Sequence, residues 1–348
     1  MPYATLADIA KRANKSIATV SRVLNGKADE GIHISEKTKQ QILTLAKELS
    51  YRPNFLARHL VQKDSRVIGL LIPDIMQIFF NEICYYLSRK LDKSGYDILL
   101  AHSYEDPEPE RKAIEMILSR RVNGIVVAPA KGQHNLKLLE DIRSRNIPLI
   151  LLDRYFIDKT FCSVTSDDVQ GSYLLVSHLI DQGARNILFL CGDRETSVTI
   201  ERIAGYRKAF SERKIPVEER LFLESGFFQK DGYKITRRLI ADGALKGVEA
   251  IMGVNDEIAL GVLEALWEEG VKVPRDILVT GYGDERYSKY LRVPLTSVQQ
   301  QTSVLAEHTY RLLMKLIEKK KIPKINTKVP CQLIVRESTV RERQGGAA

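Results

Sequence analysis

The sequence predicts a small all-α head carrying a helix-turn-helix, followed by a larger α/β body built on doubly wound parallel sheets. Three observations predict this. Residues 5–49 hold three short helical periodicities separated by turn residues. From Val67 onward, continuous apolar runs alternate with amphipathic stretches, the pattern of parallel strands covered on both faces. Charge is also divided unevenly: residues 1–64 carry eleven Lys and Arg against six Asp and Glu, a net +5 out of the chain's formal +9. At 348 residues the chain is too long for one compact core.

The first helix starts at Thr5, with Asp8 three residues later completing a capping box, and Leu6, Ile9, Ala10 and Ala13 recur at helical spacing. Asn14 stands where a tight inter-helix turn needs a left-handed residue. Ser16 can cap a second helix that turns Val20, Val23 and Leu24 inward and leaves Ile17, Ala18, Ser21, Arg22 and Asn25 on the opposite face. Ser35 caps a third helix, with Ile42, Leu45, Ala46 and Leu49 closing a three-helix core. An ordinary helical hairpin has the same spacing as the first two helices. The third helix and the local positive charge favour the arrangement whose second helix enters the DNA major groove. There, Arg22 is long enough for a bidentate guanine contact, and Ile17 and Ala18 suit thymine methyls. Ser16, Thr19, Ser21 and Asn25 fix register on phosphates, with Thr5 and Asn54 as further phosphate contacts. Residues 51–60 form a hinge with Pro53 near a helix start; two helical turns are marginal alone and should order on DNA.

In the body, candidate strands are 67–73, 97–103, 124–129, 148–153, 186–192, 250–255 and 277–283. Open α/β sheets bind ligands at strand C-termini. Asp74, Asp153, Arg154, Asn255, Asp256 and Asp284 occupy such ends. Each alone has a plainer reading as a helix cap; four such ends together favour a binding cleft. No apolar run reaches membrane-spanning length, and the start lacks a signal-peptide core. Cys84, Cys162, Cys191 and Cys331 are scattered, so free thiols are expected, with no disulfide framework or zinc site. Phosphate-loop, dinucleotide, zinc-protease and nucleophile-elbow motifs are absent, and six histidines show no metal-ligand spacing. A non-enzyme without cofactor or metal is expected. The alternatives are a cleft enzyme and a solute-binding protein for transport; the second would need an export signal and no helical head.

The run from Ala10 to Gly26, A-x-x-A-N-K-S-I-A-T-V-S-R-V-L-N-G, followed by S-Y-R-P-N-F-L-A-R-H-L ending at Leu60, closely resembles the lac repressor/galactose repressor family of bacterial transcription regulators. The resemblance runs to about residue 340. It implies a head over 1–50, a hinge over 51–64, a two-lobed body over 65–340 and a tail over 341–348. The lobes are of the periplasmic sugar-binding-protein type, with crossovers near residues 166, 294 and 325. The first lobe would hold about 65–166 and 295–325, the second about 167–294 and 326–340. It further implies that Phe79, Phe80 and Phe227 stack on an apolar sugar face, and that Asp153, Arg154, Arg202, Asn255 and Gln300 grip hydroxyls. Asp74 and Asp284 join this effector set as strand-end carboxylates. For the three phenylalanines, plain core packing is the competing reading. Leu60 corresponds to the residue that wedges into the minor groove at the operator centre.

The function so implied is a ligand-responsive repressor of carbohydrate-utilisation genes. It would bind an inverted-repeat operator as a homodimer, in the cytoplasm at the nucleoid, with no membrane partner. No leucine heptad follows Arg341, so a dimer without a tetramerising tail is expected. Three departures stand out. The turn reads Asn14-Lys15 where the family has Gly-Val, and residues 27–34 form a slightly long loop. Gly283 replaces the first aspartate of the family's Gly-[Phe/Tyr]-Asp-Asp run. That glycine predicts room for an oligosaccharide or sugar derivative in place of a simple monosaccharide.

Overall fold

The computed structural model describes residues 4–24, 34–51, 64–322 and 325–341. The chain divides into two compact units, Met1–Ser65 and Arg66–Ala348. In the first, helices α1 (Leu6–Ala13), α2 (Ile17–Leu24) and α3 (Glu36–Glu48) enclose a core of Ile9, Ala10, Ala13, Val20, Val23, Ile34 and Ile42. The predicted caps form. Thr5 Oγ1 accepts the Asp8 amide at 3.3 Å while the Asp8 carboxylate accepts the Thr5 amide at 2.8 Å. Asn14 adopts φ 52°, ψ 46°, the left-handed conformation the tight turn requires. Ser16 Oγ accepts the Thr19 amide at 3.1 Å, and Ser35 Oγ accepts that of Thr38 at 3.4 Å.

The second unit opens with β1 (Val67–Ile72), α4 (Ile78–Lys93), β2 (Asp97–His102), α5 (Pro107–Ser119), β3 (Gly124–Val127), α6 (Leu136–Ser144), β4 (Leu149–Leu152) and β5 (Ser163–Ser166). The chain then passes into a second lobe: α7 (Asp168–Asp181), β6 (Ile187–Cys191), α8 (Ser197–Glu212), β7 (Phe222–Glu224), α9 (Gln229–Ala241), β8 (Ala250–Gly253), α10 (Asp256–Glu268), β9 (Leu278–Thr280) and β10 (Ser297–Gln299). It finishes with α11 (Thr302–Ile317), β11 (Asn326–Val329) and β12 (Gln332–Ile334). The first-lobe sheet has order β11-β5-β4-β3-β1-β2 and the second β7-β6-β8-β9, with all neighbours parallel. Alternate residues of the first sheet face opposite layers. Ile68, Leu70, Val126 and Ile150 pack under α4 and α11, whereas Leu71, Ile125, Val127 and Leu151 pack under α5 and α6. One core fills the second lobe.

The lobe boundaries near the C-terminus differ from the expectation. β11 pairs in register with β5, Asn326 opposite Ser163, so residues 326–329 complete the first-lobe sheet. β10 pairs antiparallel with β12 and continues the second-lobe sheet through bridges Thr280–Thr296 and Gly283–Gln299. The chain therefore returns to the first lobe after Gln299, and leaves it after Val329 instead of near 325. In both sheets the order reverses beside the first strand, which opens a crevice at the strand C-termini.

Candidate functional site

On the head, α2 buries Val20 and Val23 and turns its other side outward. Ile17 is 52% exposed, Ala18 and Ser16 are exposed, and Thr19, Ser21 and Arg22 are half-buried beside them. One face thus presents an apolar pair, a guanidinium and hydroxyls. Thr5 is already engaged, since its hydroxyl donates to Asp8 Oδ2 at 2.7 Å within the capping box. These bonds hold the Asp8 carboxyl below its usual range. Asn25, Asn54 and Leu60 lie outside the described residues.

In the body, strand ends from both lobes enclose a cavity of about 40 Å³. The first lobe supplies Phe79 and Phe80 from α4, with Asp153 and Arg154 after β4; Phe227, Asn255 and Arg202 come from the second lobe, and Gln300 from the crossover. Asp153 sits at φ +63° with the Arg154 amide donating across it to Leu152 O at 2.6 Å, a tight three-residue turn that a non-glycine residue adopts only under constraint. That turn sends Asp153 and Arg154 to the cavity from consecutive positions. Asp153 is 6% exposed, and its Oδ1 accepts no hydrogen bond from the protein. Burial, reinforced by the neighbouring Asp168 charge, raises its pKa.

Both arginines are clamped. Arg154 gives two bonds to Glu105, at 2.6 and 2.9 Å, and lies 5.1 Å from the Phe227 ring centroid across the cleft. Burial opposes ionisation of Glu105, but the Arg154 charge outweighs it and holds the carboxyl below its usual range. Arg202 donates through Nε to Asp168 at 2.8 Å and through Nη1 to Val254 O, and its guanidinium lies 3.5 Å from the Tyr282 ring centroid. Gly205 permits this meeting: a Cβ there would lie 2.3 Å from Val169 O, so only glycine lets α7 and α8 approach closely enough to join Asp168 to Arg202. Asn255 caps α10, accepting the Ile258 amide and donating to Phe227 O, both at 2.8 Å. Gln300 donates to Ser166 Oγ at 2.9 Å.

A cavity of about 40 Å³ holds no more than a few waters, so a sugar-sized ligand requires the lobes to part. They are latched at the rim. Tyr155 Oη donates to Glu201 at 2.6 Å, Lys328 pairs with the same carboxylate, and Arg286 donates to Glu82 at 2.8 Å.

Residues 5–54 match the model for bacterial regulatory proteins of the lacI family, and residues 176–339 match that for a periplasmic binding protein-like domain. The transcriptional regulator DegA of Bacillus subtilis (strain 168) is 31% identical over 339 residues, covering 96% of this chain and 98% of that protein. The ribose operon repressor of Halalkalibacterium halodurans is 30% identical, covering 96% and 97%. The chain belongs to the LacI family. Its fold superposes on a crystal structure of the lac repressor dimer bound to operator and the anti-inducer ONPF with a TM-score of 0.85, at 27% identity, covering 98% of this chain and 100% of that one. It is accordingly a DNA-binding transcriptional regulator and not an enzyme. Among the described residues, no helix is long and apolar enough to cross a membrane.

Within this LacI-family regulator, two expected effector residues do not line the cavity. Asp74 turns back to accept the Met76 amide at 2.9 Å, the turn-capping alternative for a strand-end aspartate. Asp284, at φ +53°, pairs with Arg336 at 2.7 Å and accepts from Gln299 at 3.0 Å, away from the cavity. Gly283 itself lines the cavity. Gly283 has φ +132°, which favours glycine for backbone reasons, and Glu285 Cγ lies 3.6 Å from where its Cβ would be. Glu285 fills that wall with a carboxyl from two residues later, pushed up to about 8 chiefly by burial and then by the Asp256 charge. Gln77, Glu257, Tyr282 and Glu285 line the cavity and were not singled out from sequence. The only signal for Glu285 was its place directly after the G-Y-G-D run.

Proposed function

We propose that this regulator is a repressor of carbohydrate-utilisation genes, controlled by a carbohydrate-like effector held between the two lobes of its body. It works in the cytoplasm at the nucleoid, as a homodimer on an inverted-repeat operator. The observation that carries this reading is the cavity walled by residues of both lobes in a chain that also bears a helix-turn-helix head. Phe79 and Phe227 offer ring faces to C–H surfaces, while Asp153, Arg154, Asn255 and Gln300 surround them with polar groups. Arg202 orients the wall through Asp168 and Tyr282. On DNA, Ile17, Ala18 and Arg22 read bases. Thr5, Ser16, Thr19, Ser21, Asn25 and Asn54 contact phosphates, and Leu60 wedges the minor groove. Names borne by relatives, such as the ribose operon repressor, support a sugar-linked role.

An effector changes DNA affinity only if it prefers one lobe arrangement, and by linkage DNA then changes effector affinity by the same factor. The test is a thermal-shift screen of the full chain against neutral, amino, acidic and phosphorylated sugars, since a ligand stabilises the state it binds. Any hit is then added to an operator-binding titration. A sugar that raises the melting temperature and alters operator affinity is the expected result. A sugar that does the first without the second separates the cleft from control of DNA binding and contradicts the reading.

A further inference from the structure

We infer that the cleft selects an effector bearing a protonated amine beside hydroxyl groups, an amino sugar, over neutral or anionic sugars of the same size. This rests on the carbohydrate reading above and narrows it. The argument begins with which hydrogen-bonding groups of the wall are already used. Arg154 donates to Glu105, Arg202 to Asp168 and Val254 O, Asn255 to Phe227 O, Gln300 to Ser166, and Gln77 to Glu105 at 3.2 Å. Of the wall atoms buried without a partner, two are acceptors, Asp153 Oδ1 and Glu285 Oε2, and one is a donor, Arg154 Nε. An ammonium group supplies donors only, and so complements such a wall better than a hydroxyl, which brings an acceptor with each donor.

Charge points the same way. Five carboxyls stand at or directly behind the wall, Glu105, Asp153, Asp168, Glu257 and Glu285, against the two guanidiniums of Arg154 and Arg202. Among the described residues no lysine lines the cavity; Lys131, whose charge reaches Glu105, is half-exposed and 3.8 Å from Asp193. Lys328 is taken by Glu201, and Arg286 by Glu82. Unmatched buried negative charge is costly unless a proton or a cation neutralises it. The raised pKa values of Asp153 and Glu285 agree with protons filling that role without ligand. A ligand cation can replace them, whereas a phosphate or carboxylate would add to the excess. One spare donor also remains, the buried Arg154 Nε, which matches a hydroxyl oxygen and favours an amino sugar over a simple polyamine.

The test is calorimetry on the full chain with D-glucosamine, its β-1,4-linked dimer, their N-acetylated forms, glucose, cellobiose, glucose 6-phosphate and spermidine. The free-amine sugar of one size is expected to bind roughly tenfold or more tighter than its neutral counterpart, the scale of one charge-assisted contact. Glu285→Gln should erase most of that preference, and Asp153→Asn provides a second variant should the first fail to give the native circular dichroism spectrum. Equal or tighter binding of a neutral or phosphorylated sugar overturns the amine preference and leaves the carbohydrate reading standing. Binding of spermidine with no sugar binding does the reverse. Failure of every probe to bind overturns both.

Discussion

Arg202 is both wall and strut. Its partner Asp168 is 1% exposed and has Oδ2 without a hydrogen-bond partner, so Arg202→Ala would leave a buried carboxyl with no cation against it. Breaking a buried pair from one side costs about 3–5 kcal/mol, and urea denaturation of the full chain is expected to show a loss of that size in the body transition. A loss below about 1 kcal/mol would show that the Arg202–Asp168 pair does not hold the wall, and the strut role would fall. Residues at this scale were legible unevenly. Asp153, Arg154 and Asn255 could be read because they directly follow apolar strands. Asp74 and Asp284 follow strands too, but short-range acceptor geometry for one and the Arg336 pair for the other turn them from the cavity. Glu285 could not be read: its approach depends on the Gly283 backbone and on its amide donating to Asp256 at 2.7 Å, contacts that no local pattern encodes.

Among elements, α1 tests the head most simply. Thr5 and Asp8 satisfy each other's capping needs at its exposed start, so Thr5→Ala should lower head stability by about 1 kcal/mol, read as faster amide exchange in α1. Because the folded Asp8 pKa is lowered, its contribution is present above the ordinary carboxylate range and is lost as pH falls through the folded value. Unchanged exchange in the variant would show that tertiary packing alone fixes this helix. The three head helices and seven body strands were legible because each carries an apolar period or run. β5, β7, β10, β11 and β12 were not, being only three or four residues long, with β5, β10 and β11 largely polar besides. β5 reads Ser-Val-Thr-Ser yet is wholly buried, since β4 and β11 flank it. The third crossover was misplaced for the same reason: the sequence of β11, Asn-Thr-Lys-Val, does not reveal which sheet it joins.

For the whole molecule, the closed cleft makes stability depend on pH. Burial lifts Glu285 from 4.5 to about 8, with Asp256, Glu257 and Glu82 adding to it; Asp153, faced by Asp168, Arg154, Arg202 and Glu105, also moves up. Between those pH values the native state holds protons that the unfolded chain has released, so stability should fall as pH rises through that window. Glu285→Gln should flatten the fall in melting temperature, and an unaltered slope would show that Glu285 ionises freely in the folded cleft. The two-unit architecture was legible from charge and periodicity. The closure of the lobes was not, because the Tyr155–Glu201–Lys328 and Glu82–Arg286 latches join residues far apart in the chain. The central claim, a sequence-specific DNA-binding regulator that reads bases from α2, is tested most directly by selecting binding sites from a random DNA library. The full chain and its Arg22→Ala variant would be selected in parallel. The account predicts an inverted-repeat motif for the parent chain and, in the variant, one symmetric pair of positions flattened by about 1–3 kcal/mol per contact. No enriched motif for the parent chain, or the same motif with and without Arg22, would contradict it.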